Sequence, residues 1–232
     1  ENETSLRHGD VVCADEQTAG KGRFSRAWVS EPGKSLAMSV AMSADRLRFK
    51  EMTGMAAATA IHSLLKRKGL ITRLKWPNDV VLKDRKISGI LLEQGNEKLI
   101  LGIGLNVNLS RKDLEKAGLE TTATSILIET GNRSNPWRYL SDLMRELESI
   151  LGELQTNGPA AVLSCWKNND DLQGKDIIVS TVNGSISGRY AGVESDGTLA
   201  ISDRNSRKHV FSSGDVTLSG APICKTAQLA AP

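Results

Sequence analysis

The chain has 232 residues, of which 39% are hydrophobic and 25% charged, and its formal net charge is +3 at neutral pH. That balance describes a soluble globular chain able to bury a sizeable core, and it excludes a low-hydrophobicity disordered chain or a globally basic nucleic-acid binder. No apolar run approaches the roughly 18 residues of a membrane span, the opening residues do not read as a signal peptide, and the cysteines Cys13, Cys165 and Cys224 form no CxxC pair, so a reduced, cytoplasmic setting is expected.

Residues 11–14 read as a short strand, followed by a polar, glycine-containing loop through Pro32 and Gly33 and a second strand at 35–44. Phe49, Met52, Met55, Ala56, Ile61, Leu64 and Leu65 recur at helical spacing and predict a helix that stops at Gly69. Strands follow at 72–76, 80–82, 86–94 and 98–107, the last two joined by the hairpin signal Gly95-Asn96-Glu97. Beyond Thr124 the pattern turns helical. Ser134 or Asn135 can cap a helix with Pro136 near its first position, and an apolar face from Trp137 through Leu140, Leu143, Met144, Leu147, Leu151 and Leu154 runs to Gly158. A second helix at 159–168 ends in a polar Asn-Asp run.

From Gly174 the pattern changes to short strands with tight turns at Asn183-Gly184, Ser195-Asp196-Gly197 and 203–206, which suggests a small barrel. The expected division is therefore 1–172, 173–220 and a loose tail at 221–232.

Three strings carry the chemistry. Gly20-Lys21-Gly22-Arg23-Phe24-Ser25-Arg26 combines close backbone approach with positive charge, which suits two reacting anions, although such a loop standing alone is also an ordinary solvated basic loop. It lacks the GK[ST] ending of a Walker loop. Lys75-Trp76-Pro77-Asn78-Asp79 packs an aromatic anchor, a fixed φ, a turn former and a carboxylate together, with a self-satisfied Asx turn as the plain alternative and Trp76 read as packing. Lys86-Ile87-Ser88-Gly89-Ile90-Leu91-Leu92-Glu93 opens a strand with a lysine that elsewhere would simply snorkel. Gly102-Ile103-Gly104 echoes a dinucleotide fingerprint only weakly, because the third glycine is missing and a strand carries it. His8, His62 and His209 form no spaced metal cluster.

In this order and spacing the strings resemble biotin protein ligases over roughly residues 9–220. The resemblance implies an α+β fold, with a mixed-sheet catalytic domain like that of class II aminoacyl-tRNA synthetases followed by a small SH3-like β-barrel. It implies formation of biotinyl-5′-AMP from biotin and ATP with Mg²⁺, then transfer of biotin to a lysine of a biotin carboxyl carrier domain. Position by position, Lys86 and Arg23 become the catalytic pair. Gln17, Gly20, Lys21, Gly22, Arg23, Arg26, Trp28, Lys86 and Gly89 fall where biotin and its adenylate bind. Asn78, Asp79, Gly104, Asn106 and Asn108 fall at the nucleotide, with Asp79 as the Mg²⁺ contact and the Thr124-Ser125 segment nearby.

Lys21 stands where arginine is usual and loses a planar fork, and Ser25 replaces a glycine, so that turn must avoid positive φ or carry strain. Relatives place a Ser-Thr-Asn type segment that binds the biotin ureido ring upstream of the first strand, whereas residues 1–8 hold only Thr4-Ser5; the expectation is a chain lacking that extreme N-terminal segment. The resemblance implies no membrane or nucleic-acid partner for this chain and admits a homodimer. An adenylate-binding sensor or repressor fragment without transfer and a lipoate or octanoate ligase are the competing readings.

Overall fold

A computed structural model of the chain describes residues 6–95 and 97–219. The expectations for residues 1–5, Asn96 and the tail at 221–232 lie outside those residues.

The strands of the first part are β1 (Val11–Ala14), β2 (Ser35–Ser43), β3 (Arg73–Lys75), β4 (Asp79–Leu82), β5 (Arg85–Gln94) and β6 (Lys98–Asn106), in the spatial order β1-β2-β6-β5-β4-β3. Every ladder is antiparallel. The expected mixed sheet is thereby corrected, since among the described residues parallel pairing is confined to two isolated bridges, Leu74–Asp170 and Lys86–Ala123. For β3 to β6 the chain order produces this directly, because each strand returns to the next through a turn too short for a parallel crossover. Between β4 and β5 the turn is Lys83-Asp84, with φ 50° and 60°, the double left-handed geometry of a tight hairpin.

Side chains alternate across the sheet, so its two faces differ. Leu36, Met38 and Val40 of β2, Leu101, Ile103 and Leu105 of β6, and Ile90 of β5 share the face that belongs to the main core. The helices are α1 (Thr53–Arg67), α2 (Arg111–Lys116), α3 (Ile126–Thr130), α4 (Leu140–Asn157) and α5 (Ala160–Asn169). Of these, α1, α4 and α5 pack together over that face. In α1 the residues Ala56, Ala57, Ala58 and Ala60 favour the helix and let its backbone approach the sheet, while Ile61, Leu64 and Leu65 are wholly buried. Burial of each such leucine contributes about 1.5–3 kcal/mol. The helix starts at Thr53 after a 3₁₀ turn at Lys50–Met52 and stops before Gly69, whose φ of 80° needs no Cβ penalty. Asn135 is the cap used ahead of α4, its Oδ1 accepting the Trp137 amide at 3.0 Å.

The second sheet joins β7 (Asp176–Thr181), β8 (Gly184–Val193), β9 (Leu199–Ser202), β10 (Lys208–Phe211) and β11 (Asp215–Leu218) in the order β10-β9-β8-β7-β11. Here β10 and β11 remain edges, so the barrel expected from the turn spacing is an open antiparallel sheet among the described residues. A bulge between Tyr190 and Gly192 bends β8. Ile177, Val179, Leu199 and Ile201 belong to the same apolar cluster as the first sheet and its helices. Polar contacts reinforce the junction: the Leu172 amide donates to Asp170 Oδ1 at 2.9 Å, and the Tyr190 hydroxyl donates to Asp170 Oδ2.

Candidate active site

On the face away from the helices, the strand register pairs Ala37 with Gly104, Gly104 with Gly89, Ser39 with Gly102 and Gly102 with Leu91. The result is a floor almost free of side chains across β2, β6 and β5. Trp28 lies on it. A Cβ on Gly104 would overlap the indole, and one on Gly89 would stand 2.6 Å from Lys86 Cε and 3.1 Å from Trp28 Cζ3. Trp28 Nε1 and Ser35 Oγ, the latter on the same face by register, are buried polar atoms without a hydrogen-bond partner among the described residues.

The segment carrying Trp28 is a self-closed strap. Gly22 donates to the Arg26 carbonyl at 2.7 Å, Trp28 to the Gly20 carbonyl at 2.9 Å, and Lys21 bridges Ala27. Its tip is a 3₁₀ turn at Arg23–Ser25 in which Phe24 takes the left-handed conformation (φ 55°, ψ 38°). The residue of this turn that carries a positive φ is thus Phe24. Gly20 is required where the strap crosses itself, since a Cβ there would come within 2.7 Å of the Trp28 carbonyl oxygen.

Two arginines tie the strap to the rest of the molecule. Arg23 donates from Nη1 to Asn78 Oδ1 at 3.2 Å and from Nη2 to the Gly214 carbonyl at 2.8 Å, with its guanidinium 5.0 Å from the Phe24 ring centroid. Burial lowers the Arg23 pKa and the nearby Asp79 and Asp215 oppose that shift; an arginine so placed stays charged. Arg26 forks onto Asp215, with Nη1 to Oδ1 at 3.3 Å and Nη2 to Oδ2.

Lys86 enters from the start of β5. Its Nζ lies 2.7 Å from Asp79 Oδ1 and 5.9 Å from the Trp28 ring centroid. Its backbone is held on both sides, the amide donating to the Thr122 carbonyl at 2.8 Å and the carbonyl accepting from the Thr124 amide at 2.9 Å. Asn78 is not a closed Asx turn: its Nδ2 donates to the Ile90 carbonyl while its Oδ1 receives Arg23. Trp76 is packing, as its burial and the 3.0 Å bond from Nε1 to the Gly197 carbonyl show. Beside Arg23, Trp76 and Asn78 a cavity of about 170 Å³ runs toward Ser212 and Ser213 of the second sheet.

The structure therefore brings together Gly20, Gly22, Arg23, Trp28, Asn78, Asp79, Lys86, Gly89 and Gly104. Gln17 and Lys21 are exposed on the strap side, and Arg26 is engaged with Asp215. The two asparagines expected on the nucleotide side are held from within the fold. Asn108 is buried and its amide is spent internally, Nδ2 on the carbonyls of Gly33 and Ser134 and Oδ1 on the Ser134 amide. Asn106 is likewise buried, with Nδ2 donating to the Thr124 carbonyl at 3.0 Å. Sequence reasoning missed Asp215 and Gly214 as the anchors of the strap, because a lone acid at a strand start carries no local signal. It also missed Glu129, treated below.

Chemically, this is a shallow glycine floor beside an aromatic ring, with Lys86 and Arg23 converging on it and Asp79 as the adjacent acid. Such a place receives a flat ligand and concentrates positive charge where two anions would meet.

A profile of the biotin/lipoate A/B protein ligase family matches residues 1–110. A biotin--[acetyl-CoA-carboxylase] ligase of Paracoccus denitrificans is 32% identical over 205 residues, covering 82% of each chain. The bifunctional ligase/repressor BirA of Bacillus subtilis is 29% identical over 211 residues, spanning 88% of this chain but only 65% of the relative's length. Among solved structures, the fold matches a biotin protein ligase from Aquifex aeolicus in complex with biotin and ATP, with a TM-score of 0.78 at 24% identity, covering 92% of this chain and 90% of that one.

Proposed function

We propose that this chain, which belongs to the biotin protein ligase family, activates biotin with ATP and passes it to a lysine of a carrier protein. In the first half-reaction a biotin carboxylate oxygen attacks the α-phosphorus of ATP. The bond to the β-phosphate breaks, and pyrophosphate leaves. In the second, the carrier amine attacks the carbonyl carbon of the mixed anhydride, the bond to AMP breaks, and an amide forms with loss of a proton.

The observation that carries this reading is the position of Lys86. Its ammonium is beside Asp79 and over the edge of the glycine floor, where it can bridge a carboxylate and a phosphate. Arg23, set between Asn78 and Gly214, supplies the second charge and clamps the adenylate together with Lys21 and Arg26. Gln17 orients biotin, the Trp28 indole, seated on Gly89 and Gly104, walls one side of its ring system, and Gly20 and Gly22 let the strap backbone close over it. Asn78 and Asp79 face the phosphates. A Mg²⁺ arriving with them would meet Asp79 as a single carboxylate ligand and take the rest of its shell from water and phosphate, offsetting their charge. That donor set fits, since among the described residues no three His, Cys, Asp or Glu side chains gather into a protein cage. Within this reading Asn106 and Asn108 shape the nucleotide side of the site through the Thr124 and Ser134 segments.

The same reading keeps 1–172 as the catalytic unit, related in architecture to class II aminoacyl-tRNA synthetases, and 173–220 as an incompletely closed SH3-like barrel. The strand order and the β8 bulge support it. The partner is a biotin carboxyl carrier domain, and the setting is reduced and cytoplasmic, in keeping with the free thiols of Cys13 and Cys165. No helix among the described residues is long and apolar enough to cross a membrane.

The test is an assay with labelled biotin, ATP and an apo carrier domain. Label on the carrier lysine is the expected result. Adenylate without transfer would make the chain a sensor, and use of lipoate or octanoate in place of biotin would make it the other branch of the family.

A further inference from the structure

We infer that Glu129 is a positioning residue for Lys86, acting through Arg85 and Thr124, an assignment that rests on the ligase reading above. Glu129 lies in α3, and its side chain is only 3% exposed. Oε1 accepts from Thr124 Oγ1 at 2.6 Å and from Arg85 Nη2 at 2.7 Å, while Oε2 pairs with Lys83 Nζ at 2.9 Å. Burial would raise the pKa of this carboxyl, but the hydrogen bonds from Thr124 and Lys83 prevail and hold it below its usual value, so it stays ionised.

The carboxylate thus joins two chain segments that meet at Lys86. Arg85 is the residue before Lys86 on β5. Thr124 belongs to the segment whose carbonyl at Thr122 and amide at Thr124 bracket the Lys86 backbone. The Thr124 carbonyl is in turn fixed by Asn106 Nδ2 at the end of β6. Without Glu129, Arg85 loses a buried carboxylate and Thr124 the acceptor of its hydroxyl, so the parallel bridge that sets the direction of the Lys86 side chain loses the support that couples its two sides. Lys86 Nζ must meet a reacting carboxyl and phosphate at once, and a misplacement near 1 Å at such a point lowers the rate by up to about 100-fold. A buried carboxylate paired with two cations could equally be a plain staple of the fold; the dependence of turnover, rather than of stability, separates the two.

Glu129→Gln keeps the shape and removes the charge, and Thr124→Val removes only the hydroxyl. In biotin-dependent ATP–pyrophosphate exchange each should lower kcat by about tenfold or more, with KM for biotin unchanged and the protein still folded by circular dichroism at the assay temperature. Wild-type kcat in either folded variant, including the case of a lowered melting temperature alone, overturns the assignment. If Glu129→Gln does not fold, Thr124→Val decides by the same criterion. An unmodified chain that shows no biotin-dependent exchange at all would overturn the ligase reading instead.

Discussion

Lys86 and Arg23 are adjacent in the site yet should fail differently. On the proposed ligase reading Lys86 meets the groups whose charge develops during adenylation, so Lys86→Ala should cut the adenylation rate by roughly two to four orders of magnitude. Its ion pair with Asp79 joins side chains 36% and 26% exposed, a pair worth at most about 1 kcal/mol, so folding should be little changed. Pyrophosphate release at the normal rate from folded Lys86→Ala protein would remove it from the chemistry. Arg23 instead holds the strap shut, between Asn78 and Gly214. Arg23→Gly should still form biotinyl-adenylate but release it early, visible as stray biotinylation of bystander lysines; a variant that retains the adenylate as long as its parent would contradict this. Lys86 and Arg23 were legible in the sequence because each stands in a string of several unusual neighbours. Asp215, Gly214 and Glu129 were not, because each acts across the fold on a residue far away in the chain.

The strap and the excursion that follows β6 are the two elements whose conformation the site depends on. The strap rests on Gly104, so Gly104→Ala should lift Trp28 from the floor and raise KM for biotin; equal biotin affinity in a titration of the two proteins would show that the indole has room to spare. Residues 109–123 have their own small cluster of Leu109, Leu114 and Ala123, and α2 within them is closed by a capping box between Ser110 and Asp113. No hydrophobic periodicity announced this helix, and it was not expected. Lys34 anchors it, with Nζ 2.7 Å from Asp113 Oδ1. Burial would raise the Asp113 pKa from 3.8, but the bonds from Lys34 and Ser110 outweigh it and hold the carboxyl at about 2. A depressed carboxylate contributes stability above its unfolded value that is lost as pH falls through the folded one, screened by solvent here to about 1 kcal/mol. Thermal unfolding should therefore lose stability between pH 4 and about pH 2, with part of that loss absent in Asp113→Asn. An identical pH profile in the two proteins would mean the cap is not maintained in solution.

At the scale of the molecule, the two sheets share one apolar cluster, so the second is no detachable appendage. Removing it would take away Ile177, Val179, Leu199 and Ile201 and expose the surfaces they cover, and would free both arginines of the strap from Gly214 and Asp215. The Asp170–Tyr190 bond is the gentler probe. Burial pushes the Asp170 carboxyl above its usual pKa, and the Tyr190 hydroxyl opposes that shift. Tyr190→Phe leaves a buried acceptor without its donor and should cost about 1–3 kcal/mol in denaturant unfolding. A shift smaller than the error of the measurement would mean that water replaces the hydroxyl.

The sequence by itself determined the elements that depend on local periodicity and turn chemistry. The helix ending at Gly69, a cap at Ser134 or Asn135, the β5–β6 pair and the change to short strands after Gly174 follow from side-chain alternation and backbone preference within a few residues. It also determined the ligase-like strings, because their glycines, basic residues and Trp-Pro-Asn-Asp turn sit in a fixed order. Tertiary structure decided which ladders form and how each site residue is employed. The register of β2, β5 and β6 places Gly89, Gly102 and Gly104 on one face, while internal carbonyls claim the amides of Asn106 and Asn108. Strand pairing and buried hydrogen bonds join groups distant in the chain, and no local pattern records which distant partner a residue will meet.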